Sequence, residues 1–201
     1  MKKHAFTLVE LLITIGIIAS RSCLLLPAIG SAVRKADQTK AKAEITALVT
    51  AISQFEATYG YLPYPTASYT EGNILSANQY EDLILILQGE DQKNSSYTRN
   101  PNPKKQRFLD VRGNTPGAYE DPWGNTYNVI FDKNANGKVE YASAADQPDA
   151  LGLSHTNIYA GLIIWSDGAK VTKDSAYVFE DNVYSLPVEW DKEAKKFKIT
   201  Q

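Results

Sequence analysis

The stretch that decides the fold of this chain is FTLVELLITIGIIASRSCLLLPAI, residues 6–29. It is apolar with few breaks, and it follows the short basic leader MKKHA, residues 1–5. Because roughly 20 apolar residues in a helix cover the hydrocarbon layer of a bilayer, the stretch is long enough to span a membrane. Glu10 lies inside it, where a carboxylate costs roughly 3 kcal/mol. We therefore expect Glu10 to meet a positive partner, and the nearest is a free amino terminus created by cleavage just before Phe6.

Residues 5–12, AFTLVELL, closely resemble the class III signal of type IV prepilins and type II secretion pseudopilins. The resemblance implies that a prepilin peptidase cuts between Ala5 and Phe6 and methylates the new amino terminus of Phe6. It also implies that Glu10 pairs with the amino terminus of a neighbouring subunit during filament assembly. Pro27 lies where the family commonly has a helix-kinking proline. The family usually has Gly at the position of Ala5.

The same resemblance implies where the protein resides and what it meets. It places a single span in the inner membrane and the globular domain in the periplasm, where the subunits assemble into a filament. The implied partners are the prepilin peptidase, other pseudopilin subunits and an inner-membrane assembly platform. A count of positive charges alone favours the opposite orientation, since two lysines precede the span and four basic residues follow it within residues 31–42. We follow the leader sequence.

Other interpretations of the first thirty residues are weaker. An ordinary secretory signal could use residues 8–19, but an acidic residue within the apolar stretch argues against it. A lipoprotein signal would use Cys23, yet residues 20–22 lack the expected leucine. Arg21 is unexplained. It lies on the order of 16 Å from Glu10 along a helix axis, too far for a pair within one subunit. A pair across staggered subunits and snorkelling towards an interface both stay open.

Composition narrows the class of protein. The chain has 201 residues, one cysteine and a formal net charge of −2. A single cysteine forms no intramolecular disulfide, and the major pseudopilins also lack one. The modest charge offers no broad basic surface, so no nucleic-acid partner is expected. Neither His4 nor His155 belongs to a catalytic signature, and the common hydrolase, zinc-protease and phosphate-binding motifs are absent from the sequence. We expect no enzyme.

The apolar stretch is expected to continue as one helix to about Tyr59. Apolar residues recur there at spacings of three and four, which places them on one helix face. They are Ile45, Leu48, Ile52, Phe55 and Tyr59. Gly60 suits the C-cap, and prolines follow it. The predicted organisation is a leader over 1–5, a transmembrane or filament-core helix over 6–30, an amphipathic helix over 31–60, and an αβ-loop and β-sheet region over 61–201.

Short elements are predicted in the last of these regions. Gln79–Leu87 has the pattern of a short helix with Tyr80, Leu83, Ile84 and Leu87 facing inward, and β-branched and aromatic residues cluster in four predicted strands. The strands are Thr126–Phe131, Asn157–Ser166, Ala176–Phe179 and Lys196–Thr200. A long helix followed by short strands predicts an α+β fold, with a small antiparallel sheet packed on the helix in the pilin-like manner.

Two segments near the end of the chain resemble major pseudopilins. DPWGNTY, residues 121–127, resembles a turn that leads into the family's sheet, where Pro122 and Gly124 set the backbone and Trp123 packs on apolar surface. IWSDG (164–168) and EDNVYS (180–185) resemble the closing strand and acidic loop that bind calcium in the family. The resemblance implies Asp167 and Asp181 as side-chain ligands. A solvated acidic loop without an ion is the alternative.

A second candidate calcium loop is DKNANGKVE, residues 132–140. Asp132, Asn134 and Asn136 occupy the first, third and fifth positions of an EF-hand-like pattern, and Gly137 occupies the sixth. Ser143 stands where a bidentate Glu belongs, and Asn136-Gly137 is a strong hairpin signal, so a turn is favoured.

Together these features predict a structural subunit of a type II secretion pseudopilus. Two alternatives remain: a membrane-anchored periplasmic binding or sensing domain that does not polymerise, and a subunit of a type IV or DNA-uptake pilus.

Overall fold

A computed structural model describes residues 7–64, 69–70, 72–93, 101–111, 115–140, 157–169, 182–191 and 196–200. The side chains of residues 21–28 in the first helix are not among those described. Within these ranges there are two helices, α1 (Leu8–Tyr59) and α2 (Ala77–Gln88), and seven strands. The strands are β1 (Asn128–Phe131), β2 (Val139–Glu140), β3 (Asn157–Ile158), β4 (Leu162–Ser166), β5 (Val183–Tyr184), β6 (Val188–Asp191) and β7 (Lys196–Ile199). The predicted strand Ala176–Phe179 lies outside the described residues. The predicted α+β class is confirmed.

The chain divides into two compact units, Met1–Asp37 and Gln38–Gln201. In the first unit, the part of α1 from Leu8 to Ile18 exposes large apolar side chains at nearly every position, with Leu8 80% exposed and Ile18 58% exposed. Because consecutive helical positions point in all directions, this segment is apolar all round rather than on one stripe. Among the described residues, no helix meets the length and hydropathy needed to cross a membrane.

In the second unit, the carboxy-terminal part of α1 buries one stripe. Four of the predicted stripe residues, Ile45, Leu48, Ile52 and Phe55, are at most 1% exposed. The fifth, Tyr59, is half-buried at the helix end. Gly60 follows with a φ of 75° and donates its N–H to the Glu56 carbonyl at 2.7 Å. The predicted end of the helix is therefore confirmed, together with the glycine that the left-handed conformation requires.

Helix α2 is longer than predicted by two residues at its start and one at its end. Its beginning is fixed by a capping box, in which Gln79 N–H donates to the Ser76 hydroxyl and Ser76 N–H donates to the Gln79 side chain. Gly89 ends it with a φ of 78°, and a Cβ there would lie 2.5 Å from the Lys105 carbonyl oxygen. The helix packs inward as predicted, since its four expected core residues are all buried.

The strands form three sheets, not the single sheet predicted. The largest has the order β1-β4-β5 with antiparallel pairing, and β2–β3 and β6–β7 are separate two-stranded antiparallel sheets. The predicted strand Asn157–Ser166 is wrong as one element, because β3 pairs with β2 while β4 pairs with β1 and β5. The break falls at residues 159–161, where Tyr159 is 80% exposed and the Gly161 carbonyl accepts from Asp132 N–H.

The largest sheet has an apolar core on each face. Val129, Phe131 and Ile164 share one core with the buried stripe of α1 and with α2. The alternate residues of the same strands face a second core with Phe197 of β7, and these alternate residues are Ile130, Ile163 and Trp165. Because side chains alternate across a strand, β1 and β4 hold the two cores together. The sheet packs on the helix as predicted, and a second layer covers its other face.

Candidate functional site

The predicted assembly residue Glu10 lies in the first turn of α1, where it closes a capping box with Thr7. The Thr7 backbone N–H donates to Glu10 Oε2 at 2.9 Å, and the Thr7 hydroxyl donates to the same oxygen at 2.8 Å. In return, the Glu10 backbone N–H donates to Thr7 Oγ1 at 3.3 Å. The carboxylate is thus held against its own helix end, an arrangement that satisfies otherwise unpaired N–H groups.

Three other residues were predicted to act in processing and assembly: Ala5, Phe6 and Pro27. Ala5 and Phe6 lie outside the described residues. Helix α1 continues through Pro27 without ending, and the side chain of Pro27 is not among those described. The predicted kink therefore stays a prediction, while the prediction of one helix from the apolar stretch to Tyr59 is confirmed.

The turn at residues 121–125 is held by its first carboxylate. Asp121 Oδ1 accepts the backbone N–H groups of Trp123 at 3.0 Å and of Asn125 at 2.8 Å. Gly124 adopts a φ of 82°, as predicted for this turn. Trp123 is half-buried, and the expectation that it packs on apolar surface stays a prediction. An aspartate that accepts N–H groups two and four residues ahead closes the turn.

The second motif, Ser166-Asp167-Gly168, meets this turn directly. The Ser166 hydroxyl donates to Asp121 Oδ2 at 2.6 Å, and Gly168 N–H donates to the Ser166 hydroxyl at 3.0 Å. Ser166 is fully buried and Asp121 is 5% exposed. The Asn125 side-chain amide also donates to the Gly168 carbonyl at 3.4 Å. We call Asp121, Asn125, Ser166 and Gly168 the turn clamp. Both motifs were identified from the sequence, but the sequence did not predict that they are in contact.

Of the two side-chain ligands implied for the first candidate calcium site, only Asp167 is among the described residues. Asp167 Oδ1 accepts both the Asn128 amide at 3.0 Å and the Trp165 indole N–H at 3.0 Å. Asp181 lies outside the described residues. Two donors therefore converge on one oxygen of Asp167.

The second candidate calcium loop is likewise closed by its own backbone. Asp132 accepts from Asn136 N–H at 3.3 Å and from Gly137 N–H at 2.7 Å. Asn134 accepts from Asn136 N–H at 3.0 Å, and Asn136 accepts from Lys138 N–H at 2.8 Å. The predicted turn is confirmed. It is not a hairpin between paired strands, because β1 pairs with β4 and β2 pairs with β3.

The described part of the chain holds no group of three or more His, Cys, Asp or Glu side chains suited to a metal ion. Ser143, at the last position of the second loop, and Asp181 are outside that part. Calcium binding in either loop stays a prediction.

A partly buried group of ionisable side chains that the sequence did not indicate lies where α1 meets β1; we call Glu44, Tyr119 and Tyr127 the Glu44 cluster. Tyr127, 2% exposed, donates its hydroxyl to Glu44 Oε2 at 2.6 Å, and Tyr119 donates to the Glu44 backbone carbonyl at 3.3 Å. Burial and the Glu44 carboxylate raise the pKa of Tyr119 to about 12. Burial, the hydrogen bond to Glu44 and its charge raise the pKa of Tyr127 well above its ordinary value. Both phenols are therefore neutral donors at physiological pH.

Comparison of the chain with protein-family models, with curated proteins and with solved structures gives no match.

Proposed function

We propose that this chain is a structural subunit of a type II secretion pseudopilus or a closely related type IV filament. A prepilin peptidase cuts it between Ala5 and Phe6 and methylates Phe6. The processed subunit waits in the inner membrane with its globular domain in the periplasm, and an assembly platform then polymerises it with other subunits. Its role is mechanical and not enzymatic.

The observation that carries this proposal is one carboxylate among exposed apolar side chains. From Leu8 to Ile18 the large apolar residues of α1 are at least 51% exposed, and Glu10 lies among them. Apolar surface on all faces of a helix is stable only when something covers it, such as lipid or the helices of other subunits. A charge in such surroundings is retained at a cost, and a neighbouring amino terminus would offset that cost.

The second unit supports the same proposal. The carboxy-terminal part of α1 docks on β1 and β4 through a continuous core, which suits a domain carried at the end of a filament-forming helix. The turn clamp joins the two motifs that resemble pseudopilin segments. This contact supports the proposal because the two motifs occur together in the chain and satisfy each other's buried polar groups.

Two alternatives differ from this proposal in testable ways. A membrane-anchored binding or sensing domain would keep Glu10 without using it for polymerisation. A type IV or DNA-uptake pilin would polymerise through the same residue, and the turn at 121–125 and the single cysteine favour the secretion class over it.

The decisive experiment replaces Glu10. We expect Glu10→Ala to remain in the membrane and to be processed before Phe6, but to form no crosslinked ladder of subunits. Thr14→Val is the matched control, because it changes a polar residue of the same segment that does not contact the carboxylate of Glu10. Ladders of normal length in Glu10→Ala would refute the proposal. Mass spectrometry of the native amino terminus tests cleavage separately, since a chain that retains residues 1–5 has no new terminus for Glu10 to meet.

A further inference from the structure

The turn over residues 132–138 contains the only Asn-Gly pair in the sequence, Asn136-Gly137. Both residues are exposed, and a Cβ placed on Gly137 would meet no atom within 4 Å. The peptide nitrogen that follows Asn136 is therefore not crowded by a side chain, and water reaches the pair. Such a nitrogen can attack the carboxamide carbon of the asparagine before it.

The carboxamide of Asn136 is folded over the backbone that follows it. Its Oδ1 accepts the Lys138 N–H at 2.8 Å, a contact of the Asx-turn type. The ring of atoms that this bond closes includes both Cγ of Asn136 and the Gly137 nitrogen, so one tight turn holds the carbon and the nucleophile. The Lys138 N–H would also stabilise negative charge that develops on Oδ1 during attack, as a donor in an oxyanion hole does.

The Gly137 nitrogen donates to a buried carboxylate. Its N–H reaches Asp132 Oδ2 at 2.7 Å, while Asp132 Oδ1 accepts the Asn136 N–H at 3.3 Å. Asp132 is 3% exposed, so little water competes for these oxygens. A carboxylate within hydrogen-bond reach of the proton that must leave meets the geometric requirement for a general base.

The geometry points to Asn136 as a self-modification site, at which the turn converts its own asparagine into aspartate or isoaspartate. In the first step the Gly137 nitrogen forms a bond to Cγ of Asn136, and its proton passes to Asp132. The Cγ–Nδ2 bond then breaks, and ammonia leaves with that proton. Water opens the resulting succinimide at either of its two carbonyl carbons. This step restores an N–H on the nitrogen and leaves one new carboxyl group.

The reaction needs only water, and its product adds one negative charge to a turn that already contains Asp132. It does not depend on the proposed function, because every group that takes part lies within residues 132–138 of the second unit. The hydrogen bonds that close the turn are the same ones that place the base and the oxyanion donor.

The test follows the full-length, detergent-solubilised chain at neutral pH, both folded and unfolded in urea. Digestion and mass spectrometry measure the fraction of position 136 that has become a carboxylate, and Asn136→Asp supplies the reference for the aspartate product. We expect the folded chain to react about tenfold faster, because only the folded turn holds the base and the oxyanion donor in place. A folded chain that reacts at the unfolded rate, or more slowly, would overturn the inference.

Asp132→Asn tests the base directly, since it keeps an oxygen acceptor and removes the charge. The rate in this variant should fall to that of the unfolded chain. Asp110→Asn is the matched control, because the Asp110 side chain is 89% exposed and lies outside the turn, and its rate should not change. Equal rates in the two variants would overturn the inference. Circular dichroism shows whether Asp132→Asn is folded, and if it is not, the comparison of folded and unfolded unaltered chain decides alone.

Discussion

Removal of the Ser166 hydroxyl should destabilise the second unit more than any other loss of a single oxygen atom from the turn clamp. Ser166→Ala deletes a bond of 2.6 Å to the Asp121 carboxylate and leaves Gly168 N–H without the oxygen it reaches at 3.0 Å. Because Ser166 is fully buried and Asp121 is 5% exposed, water cannot replace either bond easily.

The magnitude follows from the two bonds. A buried hydrogen bond to a charged group contributes about 1.5–3 kcal/mol, and a neutral one contributes about 1 kcal/mol. We therefore expect Ser166→Ala to lower the free energy of unfolding by roughly 2–4 kcal/mol. For a domain of this size, each 1 kcal/mol lowers Tm by about 2–4 °C, so Tm should fall by roughly 4–16 °C.

The assay is urea and thermal unfolding of a fragment that begins at Gln38, which is one compact unit with its own cores. Ser53→Ala is the matched control, since Ser53 is exposed on α1 and the same change there should shift stability by less than about 0.5 kcal/mol. A double-mutant cycle of Ser166→Ala with Asp121→Ala isolates the pair. If Ser166→Ala unfolds like Ser53→Ala, the two motifs do not stabilise each other and the reasoning fails.

Two further predictions concern alkaline pH and calcium. The pKa of Tyr119 is raised to about 12 and that of Tyr127 is raised further, so their neutral forms stabilise the fold fully below about pH 10 and this contribution is lost as the pH rises through 12. Phenolate absorbance and circular dichroism should therefore change together between pH 10 and 12. A free energy of unfolding that stays constant over that range would contradict a stabilising role for these two neutral phenols. Chelation should lower the Tm of the same fragment, and added calcium should restore it. Asp167→Asn should abolish this change in Tm if the first candidate loop binds calcium, and Asp132→Asn should abolish it if the second loop does. A Tm that does not change with chelator would rule out both loops.

The helices were predictable because their signals are local. The spacing of Ile45, Leu48, Ile52 and Phe55 is a property of one segment, and burial of those residues follows once any sheet covers the helix. The start of α2 was missed by two residues although Ser76 and Gln79 carry a capping-box pattern that marks it. The same pattern, Thr7 with Glu10, was present in the sequence and would have identified Thr7 as the residue that contacts the carboxylate.

The sheets were less predictable because the strands are short and their pairing is distant. β2 and β5 have two residues each, too few for an alternating pattern to appear. The run Asn157–Ser166 is rich in β-branched and aromatic residues throughout, and only Ala160-Gly161 hints at the break between sheets. Which strands pair is decided by contacts between distant segments, and the composition of a single segment does not encode those contacts.

The buried polar contacts were out of reach for a related reason. Ser166 and Asp121 are 45 positions apart, and Tyr127 is 83 positions from Glu44. No short-range spacing links such residues, and Ser, Asp and Glu are residue types that are mostly exposed. The resemblance identified the loop that contains Asp121, but it gave no role to the carboxylate that holds this loop.

Under the proposed function, assembly depends on Glu10 whereas stability depends on buried contacts of the second unit, so the two properties can be tested separately. Thr7 and Glu10 lie in the unit that ends at Asp37, and both are outside the two apolar cores. The turn clamp and the Glu44 cluster lie in the unit that begins at Gln38. A change at Glu10 should therefore abolish polymerisation while the second unit melts normally. A change at Ser166 should lower the melting temperature while the remaining folded subunits still polymerise. Variants that lost both properties together would show that Glu10 acts through folding, and the case for an assembly carboxylate would then have no support from mutation.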